Sequence, residues 1–250
     1  MNLFSLDDRR VVITGAGRGL GRAIAEVVAS AGAHVTLVAR TRSQLVEVES
    51  AIKDVGGSAE IVCADLGDLA EVARLGQVLA GSGVDGVVHA AGITHREDAA
   101  DFSDSDLARV LRLNLEAPFV LSRELVRSRA SRAKASHVFI GSLGSSIGIP
   151  RAVAYVASKS GVLGVVRTLA IEWAPLDVRV NLLSPGYFHT ALTDAVLDTP
   201  EKVARMEMRI PLGRLGRPNE LGGAAVFLLS SASTYVTGQQ IIVDGGWLAS

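Results

Sequence analysis

Tyr155-Val-Ala-Ser-Lys159 sets a phenol and an ammonium four residues apart in a stretch with helical apolar spacing. Residues four apart share one face of a helix. A free tyrosine holds its proton to about pH 10, so at neutral pH it acts as a base only where a nearby cation favours the phenolate. Lys159 is placed to be that cation. At ~4 Å and an effective dielectric near 20, two unit charges interact by roughly 4 kcal/mol, equivalent to about three pH units. The spacing therefore predicts a tyrosine tuned toward general acid/base work. Any amphipathic helix can carry such a pair on a solvated edge, so the elements around it decide its meaning.

Those elements begin with a glycine turn. Thr14-Gly15-Ala16-Gly17-Arg18-Gly19-Leu20-Gly21 follows the apolar run Val11-Val12-Ile13 and precedes Ala23-Ile24-Ala25-Glu26-Val27-Val28, which has helical spacing. Glycines between a strand and a helix let backbone N–H groups approach a pyrophosphate at the positive end of the helix. Seven apolar runs then alternate with helical patterns: Val11–Thr14, Val35–Ala39, Ala59–Cys63, Val84–His89, His137–Gly141, Val178–Leu183 and Gln240–Val243. Strand-helix alternation predicts an α/β fold with a parallel sheet covered by helices on both faces. Cofactor and substrate should meet beyond the carboxyl ends of the strands, where strand order reverses.

With 250 residues the chain is expected to fold as one domain, 1–250, with no internal repeat or linker. A net charge of -1 and scattered arginines give no footprint for nucleic acid or an anionic membrane. Cys63 is the only cysteine, which excludes an intrachain disulfide and suits a reducing cytoplasm. Its apolar setting predicts a buried strand thiol. The histidines at 34, 89, 95, 137 and 189 lack metal-ligand spacing, so no metal is expected. The N-terminus lacks the basic start and apolar core of a signal peptide, and no segment is long enough to cross a bilayer.

Thr14-Gly15 with Gly19 and Gly21, Asp65-Leu66, Ala90-Ala91-Gly92, Asn114, Ser142 thirteen residues before Tyr155, Lys159, Pro185-Gly186 with Thr190, and Val243-Asp244-Gly245-Gly246 occur in this order along the chain. Together they resemble the short-chain dehydrogenase/reductase family over essentially the whole length. The resemblance implies a single doubly wound Rossmann-type domain with a seven-stranded parallel sheet, catalysing hydride transfer between a nicotinamide and a secondary alcohol or ketone. It implies catalytic roles for Asn114, Ser142, Tyr155 and Lys159. Tyr155 would be the acid/base, Ser142 would hold the substrate oxygen, and Lys159 would lower the Tyr155 pKa and hold the cofactor ribose. Asn114 would bend a helix and hold a water that links Lys159 to solvent.

For the cofactor the resemblance implies Gly15, Arg18, Gly19, Leu20, Gly21, Arg40, Asp65, Leu66, Ala90, Gly92, Tyr155, Lys159, Pro185, Gly186, Phe188 and Thr190. NAD-preferring relatives carry an acidic residue after the second strand, whereas this chain has Ala39-Arg40-Thr41. Arg40, with Arg18, offers a cation for a 2′-phosphate, so NADP(H) is favoured and NAD(H) remains an alternative. His89-Ala90-Ala91-Gly92 departs from the family's Asn-Asn-Ala-Gly and loses both amides.

The segment from Tyr187 to about Leu215, with Pro200 and Pro211, interrupts the alternation before a helix near Pro218. In the family the matching insert, about 187–215, covers the substrate. Thr94–Ser103, Pro185-Gly186-Tyr187-Phe188 and the ending through Trp247 are similar to the sugar-acid branch, which includes gluconate 5-dehydrogenases. A sugar acid needs a cation for its carboxylate, and Arg96, Arg151, His95 and His189 are the candidates. The alternative is a 3-oxoacyl-[acyl-carrier-protein] reductase, with Arg127, Arg129, Arg132 and Lys134 meeting the acidic carrier. A remote third reading is a nucleotide-binding regulator without chemistry. The apolar Ala224–Leu229 helix and the Gln239–Val243 strand with Trp247 resemble family surfaces that build a homotetramer, and could equally be internal core.

Overall fold

Side-chain alternation along seven short strands sets the architecture of the computed structural model, which describes residues 2–128, 134–190, 193 and 197–250. The strands are β1 (Arg10–Thr14), β2 (His34–Ala39), β3 (Ser58–Cys63), β4 (Gly86–His89), β5 (Ala135–Ile140), β6 (Val178–Pro185) and β7 (Gln240–Val243). Val11 and Ile13 face one side of the sheet and Val12 the other, as the two-residue period of a strand requires. Both sides are apolar because both are covered. The helices are α1 (Gly19–Ser30), α2 (Arg42–Asp54), α3 (Leu69–Ala80), α4 (Asp104–Leu111), α5 (Ala117–Arg127), α6 (Val153–Trp173), α7 (Pro200–Glu207) and α8 (Pro218–Leu229).

All pairings are parallel, in the order β3-β2-β1-β4-β5-β6-β7. The order reverses between β1 and β4, which opens the crevice at their carboxyl ends. One layer places Ile24 and Val28 of α1, Leu45 and Val48 of α2, and Leu221 and Ala225 of α8 against the sheet. The opposite layer uses Val72 and Leu75 of α3, Leu121 and Leu125 of α5, and Val162 and Val166 of α6. A Cβ at Gly222 would stand 2.6 Å from Val27 Cβ, so glycine is what lets α8 close onto α1. The apolar face of α8 is thus internal core, and Trp247 is buried as well.

Several expectations change. β4 starts at Gly86 rather than Val84 because Asp85 is drawn aside, its carboxylate accepting from Arg10 N at 2.9 Å. β5 starts earlier, at Ala135, where the Ala135 N–H donates to Asp177 O at 3.1 Å. Cys63 is exposed instead of buried, because β3 is the outer strand and Cys63 is its last residue. Among the described residues no helix is long and apolar enough to cross a membrane.

Candidate active site

Tyr155 and Lys159 lie on the first turns of α6, and β5 delivers Ser142 to meet them. Beyond Ile140 the chain enters a tight turn in which Ser142 Oγ accepts from Gly144 N at 3.1 Å and Ser145 Oγ accepts from Ser142 N at 3.2 Å. Two further serines fasten that turn to α6. Ser145 Oγ donates to Lys159 O at 3.0 Å, and Ser160 Oγ donates to Gly144 O at 3.1 Å. The Ser142 hydroxyl lies near enough to the Tyr155 phenol to favour its ionised form.

The electrostatics differ from the simple expectation of a phenol lowered by Lys159. Burial pushes the Tyr155 phenol above its usual value, the Ser142 hydroxyl pulls it back, Tyr187 raises it and Arg96 lowers it. Lys159 acts elsewhere. Its Nζ donates to Ile140 O at 2.8 Å and lies 5.9 Å from the Tyr155 ring centroid. Burial also brings the ammonium down from 10.5 to about 8, since a charge in an apolar interior is costly. In this arrangement Lys159 does not bring the phenol toward neutrality, because its charge is directed at a carbonyl on β5.

Asn114 occupies a π turn, Arg112–Glu116, between α4 and α5. The wider turn interrupts the helix as expected and turns Asn114 inward, 2% exposed. Its Nδ2 donates to Ile93 O at 2.8 Å and Ser158 Oγ at 3.1 Å, and its Oδ1 accepts from Ile93 N at 2.9 Å. Ser158 Oγ donates to Tyr155 O at 2.7 Å, so Asn114 ties the loop after β4 to the Tyr155 turn. Both amide hydrogens are taken by protein acceptors, so a water held at Asn114 would donate to it. A Cβ at Gly92 would stand 3.2 Å from Asn114 Oδ1 and 3.7 Å from Lys159 Nζ, which places Gly92 in the same cluster.

At the crevice, Gly15 (φ 68°) and Gly19 (φ 57°) adopt the left-handed backbone that favours glycine. A Cβ at Gly21 would clash with Gly15 O, and one at Gly15 would stand 2.7 Å from Ala91 N. The turn is a cradle that side chains would fill. The N-terminus of α1, at Arg18, has no side-chain cap and no acidic residue in its first turn, leaving its N–H groups for an anion. Thr190 faces this turn, its Cγ2 lying 4.0 Å from where a Gly19 Cβ would be. Leu20 is half-buried against the core. These features fit a pyrophosphate.

Arg40 after β2 and Arg18 in the turn are exposed, and neither guanidinium has a hydrogen bond or ion pair among the described residues. Asp65 is exposed after β3 with Oδ1 accepting from Gly67 N at 2.9 Å, while Leu66 is buried against α3. Ala90 N donates to Val88 O at 3.2 Å. Pro185 pairs with Val243, and Gly186 N donates to Val243 O at 2.9 Å. Phe188 is buried with its ring against Gly216, so its backbone is what remains for a ligand.

Of the four candidate cations for a substrate carboxylate, Arg151 is ion-paired to Glu97 and Asp98 at 3.8 and 3.4 Å, and His95 lies 3.8 Å from Asp106. His189 is exposed, its backbone N–H donating to Gly216 O at 3.0 Å. Arg96 is exposed, without an ion pair among the described residues, and its charge is the weakest of the four influences on the Tyr155 phenol. Of the candidate carrier contacts, Arg127 and Lys134 are exposed, whereas Arg129 and Arg132 lie outside the described residues. Sequence reasoning missed Tyr187 as a neighbour of Tyr155, and it missed Ser145, Ser158 and Ser160 as the ties that hold the cluster. The Ser142-Leu-Gly-Ser145 spacing is a capping signal that could have identified Ser145.

The loss of the family amides at 89 and 90 is met by another network. His89 Nε2 and His137 Nδ1 both bond Ser122 Oγ, at 2.7 and 2.9 Å, beneath the Ala90–Gly92 strand end. Burial and the neighbouring His137 hold His89 well below its usual pKa.

Comparison with known proteins agrees with this geometry. A family model described as Enoyl-(Acyl carrier protein) reductase matches residues 15–248. The chain is 36% identical over 247 residues to the 2-dehydro-3-deoxy-D-gluconate 5-dehydrogenase of Bacillus subtilis, covering 98% of this chain and 97% of the relative. A Beutenbergia cavernae protein provisionally described as an NAD(P)-dependent gluconate 5-dehydrogenase, solved with NADP at low occupancy, superposes with a TM-score of 0.96 at 46% identity over 100% of both chains. A Burkholderia cenocepacia gluconate 5-dehydrogenase in complex with NADP and tartrate gives a TM-score of 0.94 at 32% identity, covering 100% of this chain and 98% of that one.

Proposed function

From a chain that belongs to the short-chain dehydrogenase/reductase family and is an NAD(P)-dependent enzyme acting on CH–OH groups, we propose a narrower reading: it interconverts a secondary alcohol and a ketone on a sugar acid of the gluconate type, using NADP(H). The observation that carries this reading is Arg96, an exposed guanidinium on the loop after β4 whose charge reaches the Tyr155 phenol and which has no acidic partner among the described residues. A substrate whose reacting oxygen sits at Tyr155 would present a carboxylate to Arg96. The tartrate, a hydroxy-acid, and NADP in the Burkholderia cenocepacia relative support the same chemistry.

NADP(H), when bound, supplies or accepts the hydride. The glycine turn and the α1 N-terminus hold the pyrophosphate, Arg40 and Arg18 the 2′-phosphate, and Asp65 and Leu66 the adenine side. Ala90, Gly92, Pro185, Gly186, Thr190 and the Phe188 backbone line the remainder, and Lys159 holds the ribose. Ser142 fixes the reacting oxygen by hydrogen bond, and Tyr155 gives it a proton in reduction or takes one in oxidation. A phenol kept protonated by burial suits donation. Asn114 braces the loop after β4 against the Tyr155 turn, and the insert 187–215 covers the substrate. The protein works as a homotetramer in a reducing cytoplasm, where the exposed Cys63 stays a thiol.

The test is Arg96→Gln against a sugar acid and a neutral polyol. Loss of a charge-assisted hydrogen bond of ~1.5–3 kcal/mol should raise the KM of the acid by about tenfold to a hundredfold and leave the polyol unchanged. An equal effect on both removes the carboxylate from the reading.

A further inference from the structure

The C-terminal turn enters the sequence argument only as a family signature, yet it is built around one indole. Trp247 is 7% exposed and carries the Arg209 guanidinium over its ring at 4.1 Å from the centroid, with Tyr187 on its other flank at 5.1 Å between ring centroids. Leu143, Leu197, Ile210 and Leu215 complete a buried cluster around it. Leu143 adjoins Ser142, and Tyr187 packs against the same cluster as Leu143. The indole therefore touches the insert on one side and the neighbours of the reacting groups on the other.

The backbone presents it deliberately. Asp244 Oδ1 accepts from Gly246 N at 2.9 Å and Oδ2 from Leu248 N at 2.8 Å, closing the turn that aims Trp247 inward. Gly245 (φ 67°) and Gly246 (φ 92°) lie flat against Ile210 and Pro211, where a Cβ would stand 2.7 Å and 2.9 Å from side-chain carbons. Leu212 N donates to Gly245 O at 3.1 Å. Elsewhere the insert is loosely backed: a cavity of ≈ 140 Å³ lies between Tyr187, Leu212, Arg214 and Gly245.

We infer that Trp247 is a positioning residue, the fixed anchor that holds the described part of the insert and Tyr187 at the substrate side of Tyr155. It acts on substrate binding ahead of the cofactor, because its cluster borders Ser142 and Tyr187 and meets the cofactor residues only through Gly186 and Phe188, the chain neighbours of Tyr187. The inference rests on the proposed alcohol–ketone reaction at Tyr155, and it is tested so that the two fail separately.

Trp247→Leu, Trp247→Phe and Arg209→Gln are compared with the wild type at one protein concentration, by thermal unfolding, trypsin cleavage at Lys202 and Arg205 without substrate, and steady-state kinetics. Trp247→Leu should speed cleavage at those two sites and raise the KM of the alcohol about tenfold, with the cofactor KM raised about threefold or less. Trp247→Phe, which keeps an aromatic face, should stay close to wild type. Arg209→Gln, lost from an exposed position, should raise the substrate KM about threefold without lowering the melting temperature. Cleavage at the wild-type rate, or substrate and cofactor KM rising in parallel, overturns the inference. If the wild type turns over none of the alcohols offered, the proposed reaction fails and trypsin cleavage alone decides the anchor. If Trp247→Leu does not fold, Arg209→Gln decides it.

Discussion

Replacing Lys159 by methionine should abolish turnover and at the same time change how stability depends on pH. Lys159 is 5% exposed, and its ammonium titrates at about 8 instead of 10.5. A lysine whose folded pKa is lowered costs stability while it is charged. The cost is fully present below the folded pKa and is relieved as pH rises from about 8 toward 10.5, since the unfolded chain then binds more protons than the folded one. The drop to about 8 corresponds to about 3 kcal/mol of charging cost at pH 7, falling to about 1.4 kcal/mol at pH 9.5. Methionine removes that cost but also the 2.8 Å bond to Ile140 O, a loss of about 1 kcal/mol that does not vary with pH. Wild type and variant should thus differ by about 2 kcal/mol at pH 7 in favour of methionine, and hardly at all at pH 9.5. Urea unfolding at both pH values and one protein concentration reads this directly. A gap that stays constant with pH would show that the buried ammonium is not under the strain argued here.

Three further outcomes follow from the same geometry. Tyr155→Phe should lower kcat by about 10²–10⁴ while leaving NADP(H) binding intact by fluorescence titration, and unchanged turnover would remove Tyr155 as the acid/base. Arg40→Ala should weaken NADP(H) binding about tenfold or more with NAD(H) affinity little altered, and equal losses for both cofactors would remove the 2′-phosphate contact. His89, held neutral by burial, leaves the unfolded state to bind the extra proton below about pH 6.5, so stability should fall toward pH 5 by up to about 1.4 kcal/mol per pH unit. His89→Leu should flatten that slope in urea unfolding, and parallel curves would assign the acid sensitivity to other groups.

What the sequence discloses and what it withholds divide by range. The seven strands and the glycine turn are legible because they rest on local periodicity and on glycine's own backbone freedom at Gly15 and Gly19. The partners of Lys159 are not, since Ile140 comes from a different strand, and only the packed structure shows that carbonyl drawing the ammonium away from Tyr155. Cys63 is misjudged for the same reason: strand order makes β3 an edge, and order is not written in composition. Arg96, Arg151 and His95 look alike as scattered cations until Glu97, Asp98 and Asp106 engage two of the three. The Ser122 bridge between His89 and His137 joins a helix to two strands and leaves no signal in spacing.

The most direct test of the account is an initial-rate comparison of purified protein on gluconate-type sugar acids, the matching keto acids and a 3-oxoacyl thioester, each with NADP(H) and NAD(H), followed through nicotinamide absorbance. Turnover of a sugar acid or its keto form, faster with NADP(H), is the predicted result. Reduction of the thioester alone, with every sugar acid inert, would contradict it.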